Sequence, residues 1–295
     1  MKMTEYHPFK SYDTKEKYLK LYDMQAKKWP VSSESKIVNT SYGQTFVRIS
    51  GPSDALPLVL LPGMGSNSLM WQPNIEKLSK EYRVYAVDNI YDYGRSVYTQ
   101  EMKCADDFVE WLEELFDGLK LGNNISIMGL SYGGWLTSQY VLQFPERLNK
   151  IVLLAPAATV LPIRAEFIIR AICTLLPFQY FTKSFIYWIL EDLAKKEKET
   201  VENESIMAFL ASRCFKPKRL PDPTVLEDNE LKRISVPALY LVGENEKIYS
   251  AEKATQRLNE VAPQIKIEII PNACHDLNAS QADIVNEKIL EFLKT

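Results

Sequence analysis

The sequence predicts an α/β protein, with a mostly parallel central sheet flanked by helices on both faces and one helical insertion. Two observations predict it. Short apolar runs at Pro57–Leu61, Arg83–Val87, Ile125–Met128, Ile151–Leu154, Val236–Val242 and Ile265–Ile270 recur between amphipathic stretches, the rhythm of buried parallel strands joined by helices. That rhythm breaks between Ala157 and Ile234, where helical patterns follow one another, and then resumes.

Taken in order, residues 1–35 form a polar leader. Asp13 or Thr14 can cap a helix whose apolar face carries Tyr18, Leu19, Tyr22 and Ala26, and Trp29-Pro30 ends it. That face could dock on the main domain, although an ordinary surface arm is the simpler reading. Ser35–Asn39 and Gln44–Ser50, split by Tyr42-Gly43, predict a hairpin. Ala105–Leu119 places Phe108, Trp111, Leu112, Leu115, Phe116 and Leu119 on one helical stripe, with Gly122 just past its end. Further helices are expected over Gly133–Phe144, Ala251–Val261 and Ala279–Leu293. The core therefore comprises 36–156 and 235–295, and 157–234 is a helical cap. The cap begins with apolar and aromatic residues (Phe167, Ile168, Leu175, Phe181, Tyr187, Trp188) expected to fill its interior and line an acyl pocket. A charged segment from Glu191 to Glu204 follows, then a run with Pro217, Pro221 and Pro223.

Composition narrows the function classes. A chain of 295 residues, 46% hydrophobic, can bury a large core. A net charge of -3 lacks the basic footprint of a nucleic-acid binder. The first residues lack the apolar stretch of a secretory signal, and Phe167–Leu190 is interrupted by Arg170, Pro177 and Lys183, so no integral membrane segment is expected. Cys104, Cys173, Cys214 and Cys274 are scattered and suit free, buried or half-buried thiols in a cytoplasmic protein. With only His7 and His275 in the chain, a multi-histidine metal site is not possible.

Gly129-Leu130-Ser131-Tyr132-Gly133 carries the chemistry. It follows an expected strand and precedes an expected helix, the setting in which a G-x-S-x-G turn projects its serine above the sheet edge. A hydroxyl is a weak nucleophile near neutral pH and needs a base. His275 stands on a short loop after the last strand, while His7 lies in the polar leader, so His275 is the base. The orienting acid should follow the strand Val236–Val242, where Gly243-Glu244-Asn245-Glu246 offers two carboxylates. Glu246 is preferred, because three places beyond the glycine clears the strand end; Glu244 is the alternative, and Asp276 is too close to His275 in sequence.

An oxyanion needs two backbone donors. Tyr132, directly after the nucleophile, supplies one, and Met64 in Pro62-Gly63-Met64-Gly65-Ser66 is the candidate for the other. The same loop, with Gly63, Gly65, Ser68 and then Asp88, superficially matches a dinucleotide fingerprint, but the third glycine is missing. Asp88 more plausibly organises the loop Asn89–Ser96.

These pieces together, Pro62-Gly63-Met64-Gly65, Asp88 with Tyr93-Gly94-Arg95-Ser96, the serine pentapeptide, Gly243-x-x-Glu246 and His275, resemble the α/β-hydrolase superfamily over residues 36–295. More narrowly, the polar leader, the cap size and the glutamate resemble Bacillus carboxylesterases of the naproxen esterase type. The resemblance implies hydrolysis of a small-molecule carboxylic ester, with bulky arylpropionates among the candidates, and no cofactor. Two departures stand out: Pro62-Gly63 where many relatives have His-Gly, and glutamate in place of the commoner aspartate. A fold of this kind hosts many reactions. Lactonase, C–C hydrolase, haloperoxidase-like and aminopeptidase activities, an interfacial lipase and a hydrolase-fold small-molecule sensor all stay open.

Overall fold

The computed structural model describes residues 3–295. It begins with helix α1 (Tyr12–Ala26), then the antiparallel hairpin of β1 (Glu34–Thr40) and β2 (Gly43–Ser50). Next come β3 (Pro57–Leu61), α2 (Gln72–Leu78), β4 (Arg83–Val87), the short β5 (Val97–Tyr98), α3 (Ala105–Leu119), β6 (Ile125–Leu130), α4 (Tyr132–Gln143) and β7 (Leu148–Leu154). Five successive helices follow: α5 (Ala165–Cys173), α6 (Gln179–Ile189), α7 (Glu191–Lys196), α8 (Lys198–Cys214) and α9 (Asp228–Arg233). The chain closes with β8 (Ala238–Gly243), α10 (Ala251–Val261), β9 (Lys266–Ile270), α11 (Leu277–Ser280) and α12 (Ala282–Lys294).

One sheet runs in the order β1-β2-β4-β3-β6-β7-β8-β9, with β5 beside β2. From β4 to β9 every neighbouring pair is parallel, while β2 is antiparallel to β1, β4 and β5. Strands covered on both faces must be apolar throughout, and every position of β6 and of β8 is buried. Alternate side chains of β3 serve opposite faces, as the pleat requires. Leu58 and Leu60 join Tyr18, Ile75 and Ile289 on one side, and Val59 and Leu61 join Trp111, Leu115 and Tyr140 on the other. The parallel strands end at a common carboxyl edge, where loops from distant sequence positions can meet.

Several expectations are adjusted by packing. Helix α1 is capped by Ser11, in a reciprocal box with Thr14, rather than by Asp13 or Thr14. Tyr18 and Tyr22 are fully buried, so the leader helix is part of the core and not a surface arm. His7 is likewise buried, with Nε2 3.0 Å from the Tyr98 carbonyl. Helix α3 spans the expected residues, but its left-handed cap is Lys120 at φ 59°. The last helix is divided at Gln281, whose side-chain amide donates to the Pro271 and Asn272 carbonyls. Helix α2 and strand β5, seven and two residues long, are too short to announce themselves by periodicity. Cys104 is exposed and Cys173 half-buried; all four cysteines are free. Among the described residues no helix is long and apolar enough to cross a membrane.

Candidate active site

Ser131 sits between β6 and α4 at φ 55°, ψ −115°, a left-handed conformation that costs a non-glycine residue roughly 1–3 kcal/mol. The surrounding contacts enforce it. Ser131 N–H donates to the Leu154 carbonyl at 2.9 Å, and the Ser131 carbonyl accepts from Trp135 and Ala157 N–H, each at 3.0 Å. The two outer glycines are required by close approach. A Cβ on Gly129 would stand 2.1 Å from the Gly133 carbonyl oxygen, and one on Gly133 would stand 2.2 Å from the Leu61 oxygen. Ser131 is thereby placed at the amino end of α4, only 8% exposed.

Strand β8 lies two strands from β6, roughly 10 Å across the sheet. Its terminal Gly243 has no room for a side chain, since a Cβ would meet the Ala273 and Cys274 carbonyl oxygens at 2.3 and 2.4 Å. The loops after β8 and β9 are laced by Glu244 N–H to the Ile270 carbonyl and Asn245 N–H to the Ala273 carbonyl, both 2.9 Å. This lacing brings His275 onto Glu246: Nδ1 lies 3.1 and 3.0 Å from Oε1 and Oε2. Glu246 Oε1 also accepts Ile248 N–H at 2.7 Å, which fixes the carboxylate. The Glu246 side chain is fully shielded, and that of His275 nearly so. A carboxylate can only accept, so Nδ1 carries the proton and Nε2 is left as the basic nitrogen.

The other carboxylates are engaged elsewhere. Glu244 is exposed and accepts Asn272 N–H at 3.2 Å. Asp276 is buried and accepts from Leu193 N–H and the Ser280 hydroxyl, both 2.8 Å, which ties the histidine loop to α7. Burial raises the Asp276 carboxyl above its ordinary range. Asp88 organises its loop as expected, accepting Arg95 N–H at 2.8 Å, but it also accepts Ser68 N–H at 2.9 Å and the Tyr22 hydroxyl at 3.0 Å. Fully enclosed by these donors, it has no face left for a ribose.

The loop after β3 presses on Ser131: a Cβ on Gly63 would stand 3.5 Å from Ser131 Cβ. Gly65 turns the loop at φ 77°. Met64 directs its side chain to solvent. Among the described residues, the N–H groups of Met64 and Tyr132 have no hydrogen-bond partner, and neither has the Ser131 hydroxyl. Ser131 and His275 therefore belong to loops of one sheet edge without being joined by a hydrogen bond.

The apolar stretch of the insertion divides in two. Phe167 and Trp188 pack as expected, stacking with Phe185 and against the core. Ile168, Ile169 and Ile172 on α5, and Leu175, Phe178 and Tyr180 beyond it, are instead exposed, against expectation for Ile168 and Leu175; α5 packs mainly against α6. Sequence reasoning missed Asp92 and Lys218. Asp92 Oδ2 accepts Gly65 N–H at 2.8 Å, and Lys218 Nζ donates to the Asp92 carbonyl at 2.7 Å. The one available signal was an acid beside the Asp88 loop glycine, Gly94.

A family model described as alpha/beta hydrolase fold matches residues 57–280, and the chain belongs to this family. It is 36% identical over 278 residues to the "Uncharacterized carboxylesterase nap" of Bacillus subtilis (strain 168), covering 94% of this chain and 92% of that one. It is 34% identical to carboxylesterase YbfK of the same organism, covering 94% and 93%. Its structure is similar to the crystal structure of naproxen esterase (carboxylesterase NP) from Bacillus subtilis, with a TM-score of 0.89, 34% identity, and coverage of 96% and 99%.

Proposed function

We propose that this protein is a carboxylic ester hydrolase working through an acyl-enzyme formed on Ser131, with His275 as base, Glu246 as orienting acid and the N–H groups of Met64 and Tyr132 as oxyanion donors. The observation that carries the proposal is the buried Glu246–His275 pair on the same sheet edge as the strained Ser131 turn. The near full-length likeness to two Bacillus carboxylesterases supports the ester as substrate class.

Ser131 Oγ attacks the ester carbonyl carbon while His275 Nε2 takes the hydroxyl proton. The carbonyl π electrons move onto oxygen, which the two amides hold, and Glu246 stabilises the imidazolium. Collapse of the tetrahedral adduct breaks the bond to the alcohol, which leaves with the proton from His275. Water then repeats the sequence, with His275 again as base, and releases the acid. The hydrogen bond between Ser131 and His275 forms on substrate binding, as catalytic contacts commonly tighten in the complex. Residues 157–234 serve as a cap that shapes the acyl pocket, and the four free thiols support residence in the cytoplasm.

The test is turnover of p-nitrophenyl esters of graded acyl length, with fluorophosphonate labelling. Wild-type protein is expected to show a burst and to be labelled on Ser131. Ser131→Ala should lose at least about 10⁴-fold in kcat; wild-type turnover by that variant overturns the proposal.

A further inference from the structure

The loop 62–68 is held at two backbone amides by two buried carboxylates. Asp88 takes Ser68 N–H at its far end, and Asp92 takes Gly65 N–H in its middle. The Asp92 contact bears directly on Met64. The amide it holds belongs to the peptide unit joining Met64 to Gly65, and Ser66 N–H closes the same turn on the Gly63 carbonyl at 3.2 Å. The Gly63 carbonyl and the Met64 N–H share one planar peptide unit, so the Ser66 contact sets the Met64 amide, while Asp92 holds the adjoining plane of the same turn.

Asp92 is itself anchored. Its second oxygen accepts Tyr93 N–H at 2.8 Å, and its carbonyl accepts the Lys218 ammonium. That ammonium lies 5.1–5.6 Å from the ring centroids of Tyr91, Tyr93, Tyr98 and Phe215. Burial moves both groups towards neutrality, the Asp92 carboxyl up to about 6 and the Lys218 amine down to about 8, and their mutual attraction opposes it. Three residues beyond Lys218, the Pro221 carbonyl accepts the Tyr132 hydroxyl at 3.0 Å. The strap 218–221 thus contacts Asp92 through Lys218 and Tyr132 through the Pro221 carbonyl.

We infer that Asp92 is a positioning residue of the oxyanion pocket, orienting the Met64 amide through Gly65, and that Lys218 holds it there from the insertion. This rests on the reading of Met64 as an oxyanion donor.

The test compares Ser131→Ala, Asp92→Asn, Asp92→Ala and Lys218→Met. Steady-state kinetics on a p-nitrophenyl ester and affinity for a trifluoromethyl ketone, which forms a charged adduct on the serine, are measured for each folded variant. Asparagine keeps the shape of Asp92 but can accept only one of the two amide hydrogens, so it serves if the alanine variant fails to fold. Asp92→Asn is expected to lower kcat about 10–100-fold with KM within about twofold, and to weaken the ketone in parallel, a pattern that lost stability alone does not produce. Lys218→Met should lower kcat about 3–10-fold in the same manner. If Ser131→Ala stays active, the functional reading itself fails. If Ser131→Ala is dead while Asp92→Asn keeps wild-type kcat and ketone affinity, or changes KM alone, this inference fails and the functional reading stands.

Discussion

His275 Nδ1 lies 3.0 Å from Glu246 Oε2, and the same carboxylate is fixed through its other oxygen by Ile248 N–H at 2.7 Å. The acid is therefore held before the imidazole meets it. Glu246→Gln presents an amide hydrogen to Nδ1 or weakens its acceptor, and is expected to lower kcat about 10³–10⁴-fold. Glu244→Gln, at an exposed side chain on Asn272 N–H, should stay within about twofold. Initial rates on one ester decide between them, and a reversed ranking would transfer the acid role to Glu244.

The elbow is packed to its limit at Gly133. Alanine there would bring a methyl 2.2 Å from the Leu61 oxygen and 2.7 Å from the Pro62 oxygen, both backbone atoms. We expect Gly133→Ala to destabilise by about 3 kcal/mol or to yield insoluble protein. Denaturant melts of the purified variant test this, and a stability within about 0.5 kcal/mol of wild type would show that the turn can relax.

The leader helix is coupled to the site loop by two hydroxyls, Tyr18 near Asn67 and Tyr22 on Ser68 and Asp88. Tyr22 donates to Asp88, a fully buried acid whose carboxyl is raised by burial and lowered back by its hydrogen bonds from Ser68, Arg95 and Tyr22. Tyr22→Phe removes one of those bonds and should cost about 1.5–3 kcal/mol. An unchanged thermal midpoint would mean that the Tyr22 hydroxyl contributes nothing to stability.

Cysteine reactivity reports the histidine loop. Burial pushes the Cys274 thiol up to about 12, so raising the pH from 7 to 9 still leaves it protonated and unreactive. Its Sγ lies 3.3 Å from the Ile189 carbonyl and 3.2 Å from Asp276 Oδ1. Cys104 is exposed. Iodoacetamide at pH 9 should modify Cys104 in native protein and reach Cys274 only after denaturation. Mass spectrometry of the two peptides reads the result, and early labelling of Cys274 would show that the loop opens.

Most of the fold is legible in the sequence because its signals are local. Buried parallel strands must be apolar, and the Ala105–Leu119 stripe must face a sheet, so their spans follow from pattern alone. Elements decided by few residues are not legible. The two-residue β5 exists because Gly43 and Gln44 pair with it, and the last helix divides because Gln281 turns its amide onto the preceding loop. The exposed side of α5 carries the same isoleucines as a buried helix would, so composition could not distinguish the two.

By itself, the sequence determined the candidate nucleophile and base: the glycines around Ser131 are compatible with one kind of turn, and His275 has no rival outside the leader. Only the tertiary structure placed Glu246 rather than Glu244 against His275, because that contact depends on how two loops lace together beyond Gly243. It alone revealed Asp92 and Lys218, whose contacts span 27 and 126 residues of chain and leave no periodic trace. Hydrogen bonds between distant loops are fixed by the sum of the packing around them, and no local pattern encodes that sum.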